Sequence, residues 1–214
     1  LKTQNINFYK DLSMILQSRS SPDIDNIDEL VKNIILDIMQ KGDKALFDYA
    51  KQFDGTVINS SNILLSKEIR NSYKEKINQD IMNAFKIAIE NITRFHEKQK
   101  PENYQVVNEG VKTDLVWKPL QSVGLYIPGG KAVYPSSLVI NVIPAKVAWV
   151  RRIVVATPSK SNEINPYILA LLDLFSISEV YQVGGAQSIA ALAYGTDTIK
   201  SVNKIFGPGN AYVS

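Results

Sequence analysis

The sequence predicts an α/β protein: a parallel sheet with flanking helices, preceded by a mainly helical N-terminal region that carries a β-hairpin. Three observations predict it. From Ser122 onward short apolar strands alternate with helices through brief links, the pattern of right-handed βα crossovers. Before that point apolar residues recur at three- and four-residue steps. Between the two regimes, residues 104–108 and 111–117 alternate around Glu109-Gly110, the signal of a hairpin with a glycine turn.

Taken in order, Ile6, Tyr9, Leu12, Ile15 and Leu16 space a short amphipathic helix over 6–17, followed by a linker at 18–22. Asp25 is expected to cap a second helix whose stripe is Ile27, Leu30, Val31, Ile34, Ile35 and Ile38, closed by Gly42. Asp43 is expected to cap a third, running to Phe53 and ended by Gly55. A short strand at Asn62 to Leu65 precedes the strongest helix, where Ile77, Ile81, Phe85, Ala88, Ile92 and Phe95 form one face. The second half reads as strand 122–126, helix 136–148, strand 152–156, helix 164–175, strand 179–183, helix 186–194 and strand 202–206. A boundary near 118–122 divides a helical region with the hairpin (1–120) from a βα-repeat region (121–214).

A chain of 214 residues buries about 70% of its extended surface. With 45% apolar and 21% charged residues it has the composition of a soluble globular protein. It holds no cysteine, which excludes disulfides, thiolate metal sites and a cysteine nucleophile, and agrees with a cytoplasmic location. No apolar run is long enough to span a membrane, and Lys2, Lys10, Asp11 and Arg19 interrupt any signal-peptide core. The 24 basic and 21 acidic residues are scattered rather than striped, which argues against nucleic acid. The chain opens on Leu1 and stops at Ser214 after an apolar turn, so both ends are expected to be cut.

Four strand-end turns should gather at the carboxyl edge of the sheet, where parallel sheets bind ligands. In Gly207-Pro208-Gly209-Asn210, glycines permit close backbone approach and Asn210 offers donor and acceptor; the same tetrad also serves as a plain tight turn. In Gly184-Gly185-Ala186-Gln187 a strand runs into a helix whose first N–H groups suit an anion, although the glycines alone would also permit tight strand-to-helix packing. The three-glycine pyrophosphate fingerprint and its downstream acid are absent, so any dinucleotide binds atypically. Tyr126, before Pro128-Gly129-Gly130, offers a ring and a hydroxyl or else fills the core; Ser136 or Ser137 can cap the following helix. Thr157-Pro158 is read as structural, and the lone histidine, His96, as a solvated helix end. The sheet half holds no histidine or cysteine, no Ser-His-Asp set and no Walker lysine, so the chain is equipped to bind more than to catalyse.

Together these motifs resemble the histidinol dehydrogenase family. The matching run is Val123 to Gly130, Pro135-Ser136-Ser137, Ile143 to Ala148, Val183 to Gln187, Ile189 to Thr196 and Gly207 to Asn210 with Tyr212-Val213, supported by Gly42-Asp43, Phe53-Asp54-Gly55 and Phe95-His96-Glu97. The resemblance implies an incomplete Rossmann-like fold similar to aldehyde dehydrogenases, covering about the first half of a family member. It implies NAD contacts at Tyr126, Gln187 and Asn210, and L-histidinol as substrate, oxidised through histidinaldehyde to L-histidine by a homodimer that also needs zinc. The family's Glu-His acid/base pair and zinc ligands correspond to positions beyond Ser214, so no catalytic or metal residue is assigned here. Trp149 stands where the family usually has glycine, which predicts a changed helix end; Lys131 replaces a small polar residue and could favour a phosphate. The alternative is a truncated, inactive nucleotide-binding or interaction module.

Overall fold

A computed structural model describes residues 7–19, 24–73, 75–129, 134–159, 163–209 and 213. Helix α1 covers Phe8–Arg19, α2 Ile24–Lys41 and α3 Asp43–Tyr49, the last continued by a single π turn, Ala50–Asp54. A five-residue α4 (Lys67–Asn71) and the long α5 (Gln79–Gln99) lead to the antiparallel pair β1 (Tyr104–Asn108) and β2 (Val111–Leu115). The βα run follows: β3 (Ser122–Tyr126), α6 (Pro135–Val147), β4 (Arg152–Ala156), α7 (Pro166–Leu174), β5 (Val180–Tyr181), α8 (Gly185–Tyr194) and β6 (Lys204–Phe206).

The four strands of the βα run form one parallel sheet in the order β5-β4-β3-β6. The chain therefore builds outward twice and then returns past its starting strand, so the direction of winding reverses between β3 and β6. Side chains confirm the two faces. Val123, Leu125, Val155 and Val180 pack with α6 and α7, against α5 and residues Leu65 and Tyr73. Val154, Ala156 and Tyr181 pack with α8, Ile34 and Ile38 of α2, and Leu46 of α3. Period-two alternation is what assigns each strand residue to its layer, and both layers draw apolar residues from either side of residue 120. Ten hairpin positions, by contrast, are all exposed.

Several local expectations change. Residues 62–65 do not form a strand: they make one antiparallel bridge, Leu64 with Tyr181, flanked by Leu65 N–H to Val180 O at 2.8 Å and Gln182 N–H to Ile63 O at 2.9 Å. Strand β5 has only two residues, too few to support a longer partner. The sequence reading missed α4, whose N-cap Ser66 accepts from Ile69 N–H at 3.3 Å. Asp25 lies inside α2 rather than capping it. Asp43 is not a cap either: Gly42 holds that position without a side-chain bond, and the Asp43 carboxylate accepts from Thr198 Oγ1 at 2.8 Å. Neither Ser136 nor Ser137 caps α6, because Pro135, whose fixed φ suits a first helical position, starts the helix ahead of them.

The expected change at the end of α6 does not occur. Trp149 adopts φ 60°, the left-handed conformation of a glycine stop. Its N–H bonds Lys146 O at 2.9 Å and Val150 N–H bonds Ala145 O at 3.0 Å, so the usual closing bonds survive. Lys100 Nζ sits 3.4 Å from the centre of the indole ring, a cation–π contact that offsets part of the backbone strain.

Candidate functional site

The turns after β3 and β5 meet on one proline, and the turn after β6 meets the end of β3. A Cβ on Gly129 would lie 2.5 Å from Pro158 O, and one on Gly184 would lie 2.7 Å from Pro158 Cβ. A Cβ on Gly207, at φ 150°, would lie 2.2 Å from Tyr126 O. All four turns gather at the carboxyl edge, and glycine is required there by close approach. Thr157-Pro158, read as structural, is the post that the Gly129 and Gly184 turns pack against: Thr157 is buried and its N–H bonds Tyr181 O at 3.0 Å.

The winding reverses between β3 and β6, and the carboxyl ends of the strands beside such a reversal are where open α/β sheets take ligands. Tyr126 ends β3 on one side of the reversal and Gly207 follows β6 on the other. Tyr126 is 6% exposed and its hydroxyl accepts from Gly185 N–H at 3.4 Å. Burial raises the phenol's pKa, the Asp54 charge adds to the rise, and the Gly185 bond opposes it. Gln187, 1% exposed, reaches the same spot in the first turn of α8. The structure thus brings Tyr126 and Gln187 together at the head of α8. Asn210 and Lys131 lie outside the described residues.

A third side chain, Asp54, completes this cluster. Its Oδ2 accepts from Gly184 N–H at 3.2 Å and from Gln187 Nε2 at 3.3 Å, across 130 and 133 residues of sequence. Gly184 and Gly185 therefore engage their N–H groups inside the protein, on Asp54 and Tyr126, so two of the amides this turn could offer an anion are taken. Burial raises the Asp54 pKa, and the bonds from Gly184 and Gln187 pull it partway back. The π turn of which Asp54 is the last residue adds one residue to the helix end and swings the carboxylate toward α8. The next residue but one anchors the loop: Thr56 Oγ1 donates to Ser159 O at 2.8 Å. The sequence signal for Asp54 was an acid directly before a helix-ending glycine, a pair that reads equally well as an ordinary stop.

A separate groove of about 780 Å³ runs along the outer face of α6 and is walled by Trp117, Leu120, Ile140, Trp149 and Phe206; Tyr126 and Gln187 are not in it. His96 lies on its rim, its Nδ1 2.8 Å from Gln99 Oε1, in the helix-end role expected of it. Among the described residues no group of three or more His, Cys, Asp or Glu side chains could hold a metal ion, and no helix is long and apolar enough to cross a membrane.

Strand order and the helices packed on both faces of the sheet define a doubly wound α/β protein. The histidinol dehydrogenase family model matches residues 17–214, and the chain belongs to that family. Histidinol dehydrogenase of Caldanaerobacter subterraneus subsp. tengcongensis is 46% identical over 200 residues, covering 93% of this chain and 46% of that protein. That of Gluconobacter oxydans is 40% identical over 215 residues, covering the whole chain and 50% of that protein. A crystal structure of histidinol dehydrogenase from Elizabethkingia anophelis superposes with a TM-score of 0.82 at 35% identity, covering 87% of this chain and 43% of that one. The chain spans about half the length of the relatives it matches, and the match lies in an oxidoreductase family of histidine biosynthesis.

Proposed function

We propose that the chain is the cofactor-binding N-terminal portion of an NAD-dependent histidinol dehydrogenase, with Tyr126, Gln187 and Asn210 contacting NAD. The observation that carries this reading is the convergence of Tyr126 and Gln187 on the head of α8, at the carboxyl edge of the sheet, in a chain of this family. The residues constrain how a dinucleotide is held. The absence of a side chain at Gly207 lets the turn after β6 close on the Tyr126 backbone and so holds the two strand ends together, while the engaged amides of Gly184 and Gly185 fit no pyrophosphate held in the usual Rossmann manner.

In the complete enzyme the nicotinamide accepts the two hydrides by which L-histidinol passes through its aldehyde to L-histidine. This chain's part is to bind and orient it: Tyr126 supplies a ring edge and a fixed hydroxyl, and Gln187 an amide whose direction is set by Asp54. Zinc, a homodimer and a cytoplasmic location belong to the proposal through family likeness. The described residues supply no zinc site, so none is assigned.

Calorimetric titration of NAD into the chain tests the assignment, with Tyr126→Phe, Gln187→Ala and Asn210→Ala beside it. Each variant is expected to weaken binding; identical heats for all four would refute the site. The chain alone is expected to bind no zinc and to form no NADH from histidinol.

A further inference from the structure

We propose that Asp54 is a specificity-determining residue of this site, its carboxylate holding the head of α8 against phosphate so that an uncharged, hydrogen-bond-donating part of the dinucleotide meets Gln187. The inference rests on the NAD reading for the identity of the ligand, but not for the behaviour of the carboxylate itself.

Three observations carry it. First, the amides at the start of α8 are the groups that would otherwise attract an anion, and Asp54 Oδ2 takes Gly184 N–H and Gln187 Nε2 at 3.2 and 3.3 Å. Second, among the described residues no cation pairs with the carboxylate: none of their four ion pairs includes Asp54. Third, neither hydrogen bond needs a charge. Asparagine would accept both through its own Oδ1 at a lower desolvation cost, and burial already presses the Asp54 carboxyl toward its neutral form. What aspartate adds at this position is negative charge, and negative charge here repels phosphate.

Geometry then narrows the ligand. With Nε2 of Gln187 turned to Asp54, the amide presents its carbonyl oxygen, an acceptor, and the carboxylate beside it is an acceptor too. A ribose hydroxyl or a carboxamide N–H matches that pair; the pyrophosphate oxygens of a dinucleotide, which bring negative charge and no proton, do not.

The test follows the backbone amide resonances of Gly184, Gly185 and Gln187 in the 214-residue chain while inorganic phosphate is added to tens of millimolar. In the unaltered chain they should not move. In Asp54→Ser, which vacates the position, they should shift saturably, with phosphate bound at least about tenfold tighter than in the unaltered chain, as expected on removing one like charge at hydrogen-bond distance. Asp54→Asn keeps both bonds and should show a smaller gain; if the serine variant does not fold, it carries the comparison. A role confined to holding the loop predicts lost stability with no gain in phosphate binding. Equal responses in unaltered and substituted chains, whether all bind or none do, would overturn the proposal. NAD titrated separately keeps the two readings apart: a phosphate gain without NAD binding removes the cofactor assignment and leaves Asp54 as a barrier to anions.

Discussion

Replacing Gly184 with alanine places a methyl group 2.7 Å from Pro158 Cβ and 2.9 Å from Cγ, while alanine at Gly129 meets Pro158 O at 2.5 Å. Gly184 has extended backbone angles, φ −120° and ψ −167°, so its substitution carries a packing cost alone. Overpacking of this kind costs about 2 kcal/mol, roughly 4–8 °C in Tm for a chain of this size. The two glycines differ in what stands opposite. Pro158→Gly deletes Cβ and Cγ and should restore Gly184→Ala almost fully, giving a coupling energy of about 2 kcal/mol. It cannot delete a backbone carbonyl, so Gly129→Ala should stay costly in the same background. The proline's own loss, about 1 kcal/mol through the unfolded chain, cancels in the cycle. Urea unfolding followed by far-UV circular dichroism measures all six chains. Equal rescue of both alanines, or no coupling at Gly184, would refute the arrangement of the turns around Pro158.

Trp149→Gly should be more stable than Trp149→Ala by about 1 kcal/mol, since only alanine retains the left-handed strain at φ 60° once the Lys100 contact is gone from both; thermal unfolding decides. Gly207→Ala should cost about 2 kcal/mol or more and speed amide exchange along β3 and β6, because its Cβ strikes Tyr126 O; unchanged exchange would argue against the close approach. The Glu179 carboxyl is pushed up by burial, but the paired bonds from Arg152 at 2.6 and 2.9 Å win and hold it below its ordinary 4.5. Its contribution is therefore full above pH 4.5 and lost as pH falls through the lower folded value, and Glu179→Gln should flatten that acid limb of the stability curve. Asp54 has the opposite sign: its folded pKa lies above the unfolded one, so stability falls as pH rises through the folded value, and Asp54→Asn should be the more stable chain at neutral pH by urea unfolding.

The parallel sheet was legible because strands β3 to β6 are short apolar runs closed by glycine or proline, and because α6 to α8 fill the gaps between them. The order in which those strands lie was not: nothing local in Lys204–Phe206 says that it returns to the far side of β3, which follows from α8 crossing to the opposite face. Tyr126 and Gln187 could be named from their turns, yet the group that joins them could not. Asp54 reaches Gln187 only after two layers have packed, and its neighbours in sequence, Phe53 and Gly55, describe a helix end. Trp149 misled for a related reason. A propensity argument prices the bulky residue at that backbone angle correctly but omits Lys100, which arrives from the end of α5. Local rules located the turns; what each turn touches depended on chain segments far removed in sequence.

The hairpin formed by β1 and β2 has no buried residue on either face; beside its backbone ladder, Gln105 Nε2 donates to Asp114 Oδ1 across the strands and Asn103 Oδ1 accepts from Trp117 N–H at its base. Two strands without a packed face are marginal in water. Opening this arm should cost little and leave the sheet untouched, so its amides should be among the first to take up deuterium. A protease nick at Glu109-Gly110 should yield two fragments that remain associated through α5 and the layers beneath it.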